Sequence, residues 1–265
     1  MTLLLKIKKK AVKTFLNNII VNNILIFFKK DYLITKWICD WTKWGFDEKL
    51  TLQENVGFSH HPLIQEYVNI THQKIKQILI KLVKPKGQVL DFGCGTGLYL
   101  NTLKNNFSLS GIDMNSLFLE QAKKHIPECK FYYGDFQTAV FENKFDAIYS
   151  VSVLQYIVPS NLQAFFDKAY DLLNDNGILL LDYSHALSKK DIYYSDLSFV
   201  RYSPALIEKK AYKFSIIMHS HFFDTEKKIM QYDKSPYFFP DSKIRIDTIQ
   251  NSYLLVAQKK NNALN

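Results

Sequence analysis

The stretch Val89-Leu90-Asp91-Phe92-Gly93-Cys94-Gly95-Thr96-Gly97-Leu98-Tyr99-Leu100 decides how this chain is read. The chain holds nine glycines, and three of them fall within five residues here. An apolar run, Gln88–Phe92, leads into the triplet, and a helical pattern near 97–105 follows it. A turn without side chains lets backbone approach a ligand, and the next helix offers N–H groups that have no partner within it.

Outward from the loop, short apolar runs alternate with helical stretches. The runs are Gln88–Phe92, Leu109–Ile112, Lys130–Tyr133, Phe145–Ser150 and Ile178–Asp182, with helices near 97–105, 116–124 and 161–173. Such alternation predicts an α/β, Rossmann-like doubly wound sheet, mainly parallel and covered on both faces. Pro62 to Leu82 reads as a helix ahead of it; a helix near 204–211 and strands near 213–219 and Tyr253–Gln258 follow. Residues 1–60 form an N-terminal helical cap or arm, and residues 61–265 the main domain. In open parallel sheets ligands bind at the carboxyl ends of the strands, where the loop lies. Asp113 ends the second run, 22 residues after Asp91. An acid there can accept both hydroxyls of a ribose. Strand, glycine triplet, helix, second strand and terminal acid therefore point to a nucleoside ligand.

The dinucleotide fingerprint is G-x-G-x-x-G, whereas this loop is G-x-G-x-G. VLDFGCGTG instead resembles the first motif of the class I S-adenosylmethionine-dependent methyltransferases, and the resemblance runs from about Lys84 to the last strand. It implies a seven-stranded sheet with an antiparallel last strand, and S-adenosylmethionine as cofactor. By that resemblance Asp91 and the backbone of Gly93, Cys94, Gly95 and Gly97 hold the methionine part. Asp113 binds the ribose hydroxyls, with Met114 beside the adenine. Asp135, in FYYGDF, meets the adenine amino group, and Phe136 flanks the ring. Ser150 and Val151 lie under the sulfonium.

Methyl transfer needs its two reactants held in line and shielded from water, and a base only where the nucleophile arrives protonated. The segment after the fourth run, SVSVLQYI, lacks the Asn/Asp-Pro-Pro-aromatic motif of enzymes acting on exocyclic amines, and no cysteine follows a proline. It looks more like the family's small-molecule O- and N-methyltransferases. His185, in LDYSH, is the first candidate base, with Tyr156 and Tyr183 as hydrogen-bonding partners of the acceptor. His219 and His221 alternate on a strand and His60-His61 are adjacent, but neither pair comes with carboxylates at metal spacing, so no metal site is expected.

Composition narrows the remaining classes. Hydrophobic residues make up 47% of 265, which excludes a wholly disordered chain. Three cysteines, Cys39, Cys94 and Cys129, form no C-x-x-C pair, so a reducing, cytoplasmic setting is expected. Net charge is +9, and residues 1–50 hold ten Lys against four acids, so +6 sits in the first fifth of the chain. Asn17, Asn18, Asn22 and Asn23 break the apolar run near the start, which argues against a signal peptide or a spanning helix. Residues 13–26 read instead as an amphipathic helix, packed on the domain or lying on a membrane surface. Trp37, Trp41 and Trp44 form one helical stripe, and 235–240 is an aromatic run bounded by Pro236 and Pro240. The expected partner is a small or lipid-like molecule, with peripheral membrane contact through residues 1–44 as an option. An RNA methyltransferase is the alternative that the charge suggests, although no RNA-binding module is recognisable. A non-catalytic scaffold is the other, opposed by the intact loop.

Overall fold

The computed structural model describes residues 42–43, 45–55, 62–185, 191–194, 200–221 and 252–260. The amphipathic helix expected at the start, the Trp37, Trp41 and Trp44 stripe, His60-His61 and the 235–240 run lie outside the described residues. Within the expected cap, Leu52–Asn55 forms a short helix, α1. Its Leu52 carbonyl accepts a hydrogen bond from the Thr96 hydroxyl at 3.3 Å, so this segment touches the glycine loop.

The long helix α2 spans Pro62–Leu82. Strands β1 (Gln88–Phe92), β2 (Ser108–Asp113), β3 (Lys130–Tyr133), β4 (Phe145–Ser150) and β5 (Leu173–Ser184) follow, all parallel to one another. Between them run α3 (Leu100–Leu103), α4 (Ser116–His125) and α5 (Leu162–Leu172). A two-stranded hairpin, β6 (Ile192–Tyr194) with β7 (Val200–Tyr202), then precedes α6 (Pro204–Lys210), β8 (Phe214–His221) and β9 (Ser252–Lys259). Among the described residues the main sheet has seven strands in the order β3-β2-β1-β4-β5-β9-β8. β9 runs antiparallel to both β5 and β8, as expected of the last strand.

The sheet buries both faces, which is why its strands read as nearly continuous apolar runs. On one face Leu90, Ile148, Leu179 and Leu255 meet α5 and α6, with Phe92, Phe136 and Phe165 stacked at ring distances of 4.7–5.5 Å. On the other, Val89, Tyr149, Leu180 and Val256 meet Ile75 and Leu79 of α2 and Leu100 and Leu103 of α3. Strand order reverses between β1 and β4, since β2 and β3 lie to one side of β1 and β4 to the other. That reversal opens a crevice at the carboxyl edge, directly beneath the glycine loop.

Two local differences from the sequence reading have simple causes. The helix expected near 97–105 is only Leu100–Leu103, because Gly97 sits at φ +79, outside helical space. The β6–β7 hairpin has strands of three residues, too short to show a period of two.

Gly111 explains how the loop lies so close to β2. A Cβ there would stand 2.7 Å from Cys94 Sγ and 2.9 Å from Leu100 Cδ1. Gly111→Ala should therefore destabilise the domain by about 1–3 kcal/mol through overpacking. Urea unfolding of the two proteins, compared by midpoint at equal slope, checks this.

Candidate functional site

The carboxyl ends of β1, β2, β4 and β5 share one edge, so the parallel sheet brings Gly93–Gly97, Asp113, Ser150–Val151 and His185 along one side of the molecule. After β1 the chain turns through Gly93 (φ +77), Gly95 (φ +51) and Gly97 (φ +79), a left-handed sequence that side chains resist. A Cβ at Gly93 would sit 2.4 Å from Val153 Cγ2, so the loop approaches the segment after β4 as closely as bare backbone allows. The N–H groups of Gly93 and Cys94 both donate to the Ile112 carbonyl, at 2.9 and 3.1 Å. The Cys94 side chain is buried, which leaves its backbone as the part available to a ligand; burial, with Asp113 and Asp91 nearby, pushes its thiol pKa up.

Asp113 is the electrostatic hub. Its Oδ2 accepts the Gly95 N–H at 2.8 Å, and its Oδ1 accepts the Asn115 N–H at 2.8 Å. Burial raises its pKa, while the N–H groups of Asn115, Gly95 and Met114 act in the opposite direction. Asn115 in turn caps α4, its side-chain oxygen accepting from Leu117 and Phe118. Met114 is half-buried beside it. Asp91 is wholly buried and accepts the Tyr149 hydroxyl at 2.8 Å. Desolvation, helped by the Asp113 charge and opposed by the Tyr149 bond, lifts Asp91 to about 8, so it is largely a neutral acid at pH 7.

The remaining expected cofactor residues are placed as follows. Asp135 is half-buried and follows Gly134, whose N–H donates to the Asp113 carbonyl at 3.0 Å, which sets it next to the end of β2. Phe136 is buried, its ring packed against Phe92, Phe165 and Phe141 in the core. Ser150 is buried and its hydroxyl donates to the Phe92 carbonyl at 2.8 Å, which fastens β4 to β1 at the crevice. Val151 is buried immediately after it. Ser152 follows at φ +57, a strained conformation for a non-glycine residue, and its hydroxyl reaches Asp182 at 3.4 Å.

Of the expected acceptor-side residues, two fall in one cluster. The Tyr183 hydroxyl lies 2.6 Å from His219 Nε2, and His219 Nδ1 lies 2.7 Å from Glu208 Oε1. Glu208 accepts from Nδ1, which leaves Nε2 to accept the Tyr183 proton. The His219 side chain is 4% exposed and Glu208 51%, so the chain of bonds runs from the interior to solvent. Burial raises the Tyr183 pKa. His185 is buried, with ring contacts of 4.8 Å to Tyr253 and 4.9 Å to His221, and it bridges Tyr202 of the hairpin. Tyr156 is half-buried in the 3₁₀ turn Leu154–Tyr156, which the hairpin holds through a bond from the Tyr202 hydroxyl to the Ile157 carbonyl. Among the described residues no group of three metal-ligating side chains is assembled.

Several site residues were not anticipated. Tyr149 sits inside an apolar run and Asp182 ends one, where the break in hydrophobicity was the available signal. Glu208 and His219 lie on α6 and β8, and their meeting depends on how those elements pack.

Comparison with known proteins bears on this arrangement. Residues 89–177 match the family described as "Methyltransferase domain". The chain is 28% identical over 145 residues to a carboxy-S-adenosyl-L-methionine synthase of Campylobacter curvus, covering 51% of this chain and 57% of that one. The corresponding protein of Klebsiella pneumoniae is 28% identical over 181 residues, 64% of this chain and 71% of that one. Thus the chain matches little more than half the length of the Campylobacter relative. Among solved structures, the N-methyltransferase NodS of Bradyrhizobium japonicum in complex with S-adenosyl-L-homocysteine superposes with a TM-score of 0.57 at 12% identity, over 77% of this chain and 91% of that one. The geranyl diphosphate C-methyltransferase of Streptomyces coelicolor gives 0.58 at 11% identity, over 77% and 86%. At such identities the structures speak for the fold alone, whereas the sequence match speaks for the loop and the strands that carry it. Residues 89–177 thus match a methyltransferase domain, and the fold around them is one that S-adenosylmethionine-dependent methyltransferases share.

Proposed function

We propose that this protein is an S-adenosylmethionine-dependent methyltransferase that modifies an O or N of a small or lipid-like molecule. The observation that carries the reading is the Asp113 carboxylate, drawn over the glycine loop by the Gly95 N–H at the crevice between β1 and β4. The residues fit the cofactor chemically. Asp113 offers carboxylate oxygens to a pair of ribose hydroxyls, the Gly93–Gly97 turn offers bare backbone, and Asp91 lies below it for the amino-acid end. The cofactor, when bound, supplies a methyl group already activated by positive sulfur.

The protein's own share is placement and exclusion of water. Ser150 and Val151 close the floor beside the loop, and the 3₁₀ turn with the β6–β7 hairpin walls the acceptor side. His185 is the residue we assign to take a proton from an acceptor that arrives protonated, with Tyr183 and Tyr156 as its hydrogen-bonding companions.

A second reading is favoured by one observation. The match to the carboxy-S-adenosyl-L-methionine synthases covers 64% of the chain in the Klebsiella case, well beyond residues 89–177. By their name those proteins synthesise carboxy-S-adenosyl-L-methionine. Mass spectrometry of the nucleoside carried by protein purified from cells separates the two. S-adenosylmethionine or S-adenosylhomocysteine supports the first reading; a carboxylated S-adenosylmethionine supports the second.

Asp113→Ala should weaken S-adenosylhomocysteine binding by about 1–3 kcal/mol, through loss of charge-assisted hydrogen bonds. Calorimetric titration checks it, and unchanged affinity would remove Asp113 from the site. Asp91 predicts a pH effect as well. Its proton is held up to about pH 8 in the free protein, and a ligand ammonium beside it would favour the ionised form. Binding at pH 7 should release a proton, affinity should rise with pH toward 8, and the release should vanish well above that. Titrations in buffers of different ionisation enthalpy measure the proton count, and Tyr149→Phe should alter it without abolishing binding.

A further inference from the structure

Residues 47–55 lie outside the sheet, yet they are tied into a small knot of their own. Asn55 is buried at its centre, and its side-chain oxygen accepts the Asp47 N–H at 2.8 Å. The Asn55 amide donates to the carbonyls of Asp47, Leu50 and Thr51 at 3.0–3.3 Å. Thr51 and Glu54 add a reciprocal cap. The Thr51 N–H reaches Glu54 Oε2 at 2.9 Å, and the Glu54 N–H reaches Thr51 Oγ1 at 3.2 Å. An asparagine with both ends of its amide engaged holds such a segment as one piece.

The knot lies on the glycine loop, on the side that the rest of the domain leaves free. A Cβ at Gly93 would strike Val153 beyond β4, and the Cys94 side chain fills the space beside Gly111 on β2. Asp113 holds the Gly95 N–H, and Gly97 faces Ala122 of α4 and Ile126 just after it. Thr96, between those two glycines, is 1% exposed, and its hydroxyl donates to the Leu52 carbonyl at 3.3 Å. Next to Leu52, the side-chain nitrogen of Gln53 is buried with no hydrogen-bond partner. Buried donors are rarely left unpaired, so this one suits an acceptor on a ligand beneath the knot. The hold on the loop is light, since the Thr96 bond is long beside the 2.8 and 3.0 Å bonds of Asn55. Gly45, just ahead, is exposed with nothing within 4 Å of a Cβ position. A segment firm within itself, lightly attached and preceded by an unhindered glycine can lift as a unit.

We propose that residues 47–55 are a strap that closes over the loaded glycine loop, and that its lifting from Thr96 gates cofactor entry and exit. The proposal rests on S-adenosylmethionine being the ligand. It makes the strap a working part of the cofactor site, although it stands ahead of the strands and helices that build the crevice.

The test uses the full chain and S-adenosylhomocysteine. Hydrogen–deuterium exchange of the 47–55 amides should slow when that ligand binds. Release is then timed by chasing labelled S-adenosylhomocysteine with unlabelled ligand, and affinity is measured by calorimetry. Thr96→Val removes the hydroxyl and keeps the shape, and Asn55→Ala unties the strap. Each should speed release roughly tenfold while affinity falls less than about threefold, because a gate quickens entry as well, whereas a lost contact acts on release alone. Where Asn55→Ala does not fold, Thr96→Val and the exchange measurement decide. Unslowed exchange at 47–55, or release at the wild-type rate from the Thr96 variant, would overturn the gate and leave the nucleoside reading in place. A loss of affinity as large as the gain in release rate would make Thr96 a binding contact and overturn the gate as well. Wild-type protein that does not bind S-adenosylhomocysteine would overturn both readings.

Discussion

One carboxylate joins three elements of this fold. Asp113 ends β2, receives the Gly95 N–H from the turn after β1, and receives the Asn115 N–H at the start of α4. Without that acceptor the left-handed turn would leave a donor unpaired in a buried place, which proteins avoid. The turn is thus held by the group that the nucleoside reading needs at the same spot. Gly111, two residues before the acid, is what lets the turn press against β2 at all. The bare backbone of Gly111 and the acid two residues later on the same strand are therefore parts of a single device.

A second layer of the site is built from restraint of charge. Asp91 and Asp113 are both buried, and the Asp113 charge makes Asp91 harder to ionise. The Tyr149 hydroxyl gives Asp91 a donor, and backbone N–H groups give Asp113 three. The two acids are consequently unlike: burial lifts Asp91 to about 8 against one hydroxyl donor, whereas at Asp113 backbone N–H donors oppose the upward push of burial. Unlike acids side by side suit a ligand with hydroxyls at one end and a charged tail at the other. On the acceptor side the pattern changes to aromatic rings and histidines, with Tyr253 at the centre of contacts from His185, His219 and His221.

Much of this was legible beforehand because it rests on local chemistry. The triplet Gly93, Gly95 and Gly97 and the acid at 113 are features of short segments, and the strand runs at 88–92, 130–133 and 145–150 match the sheet to the residue. A parallel sheet buried on both faces prints itself as apolar runs, so the fold class followed. The Tyr183–His219–Glu208 chain was not legible, since residues separated by 36 and 11 positions meet only through the packing of α6 against the last strands. Nor was the central position of Phe136 in an aromatic core, because an aromatic after a turn acid has the same appearance whether it faces a ligand or three other rings. Periodicity also failed for the β6–β7 hairpin, whose strands are shorter than two repeats.

The strand order carries a consequence for synthesis. β9 lies between β5 and β8, although both precede it in the chain. A ribosome releases β1 through β5 first, and those strands can pair in parallel as their helices cover them. The outer edge of β5 then stays open, and β8 has no neighbour to join, until Ser252–Lys259 emerges. An open, apolar edge is an invitation to pair with another chain. Because Tyr183 stands on that edge, His185 directly after it and His219 on β8, the acceptor side of the crevice is the last part of the domain to be assembled, while the glycine loop and Asp113 belong to the part that emerges long before.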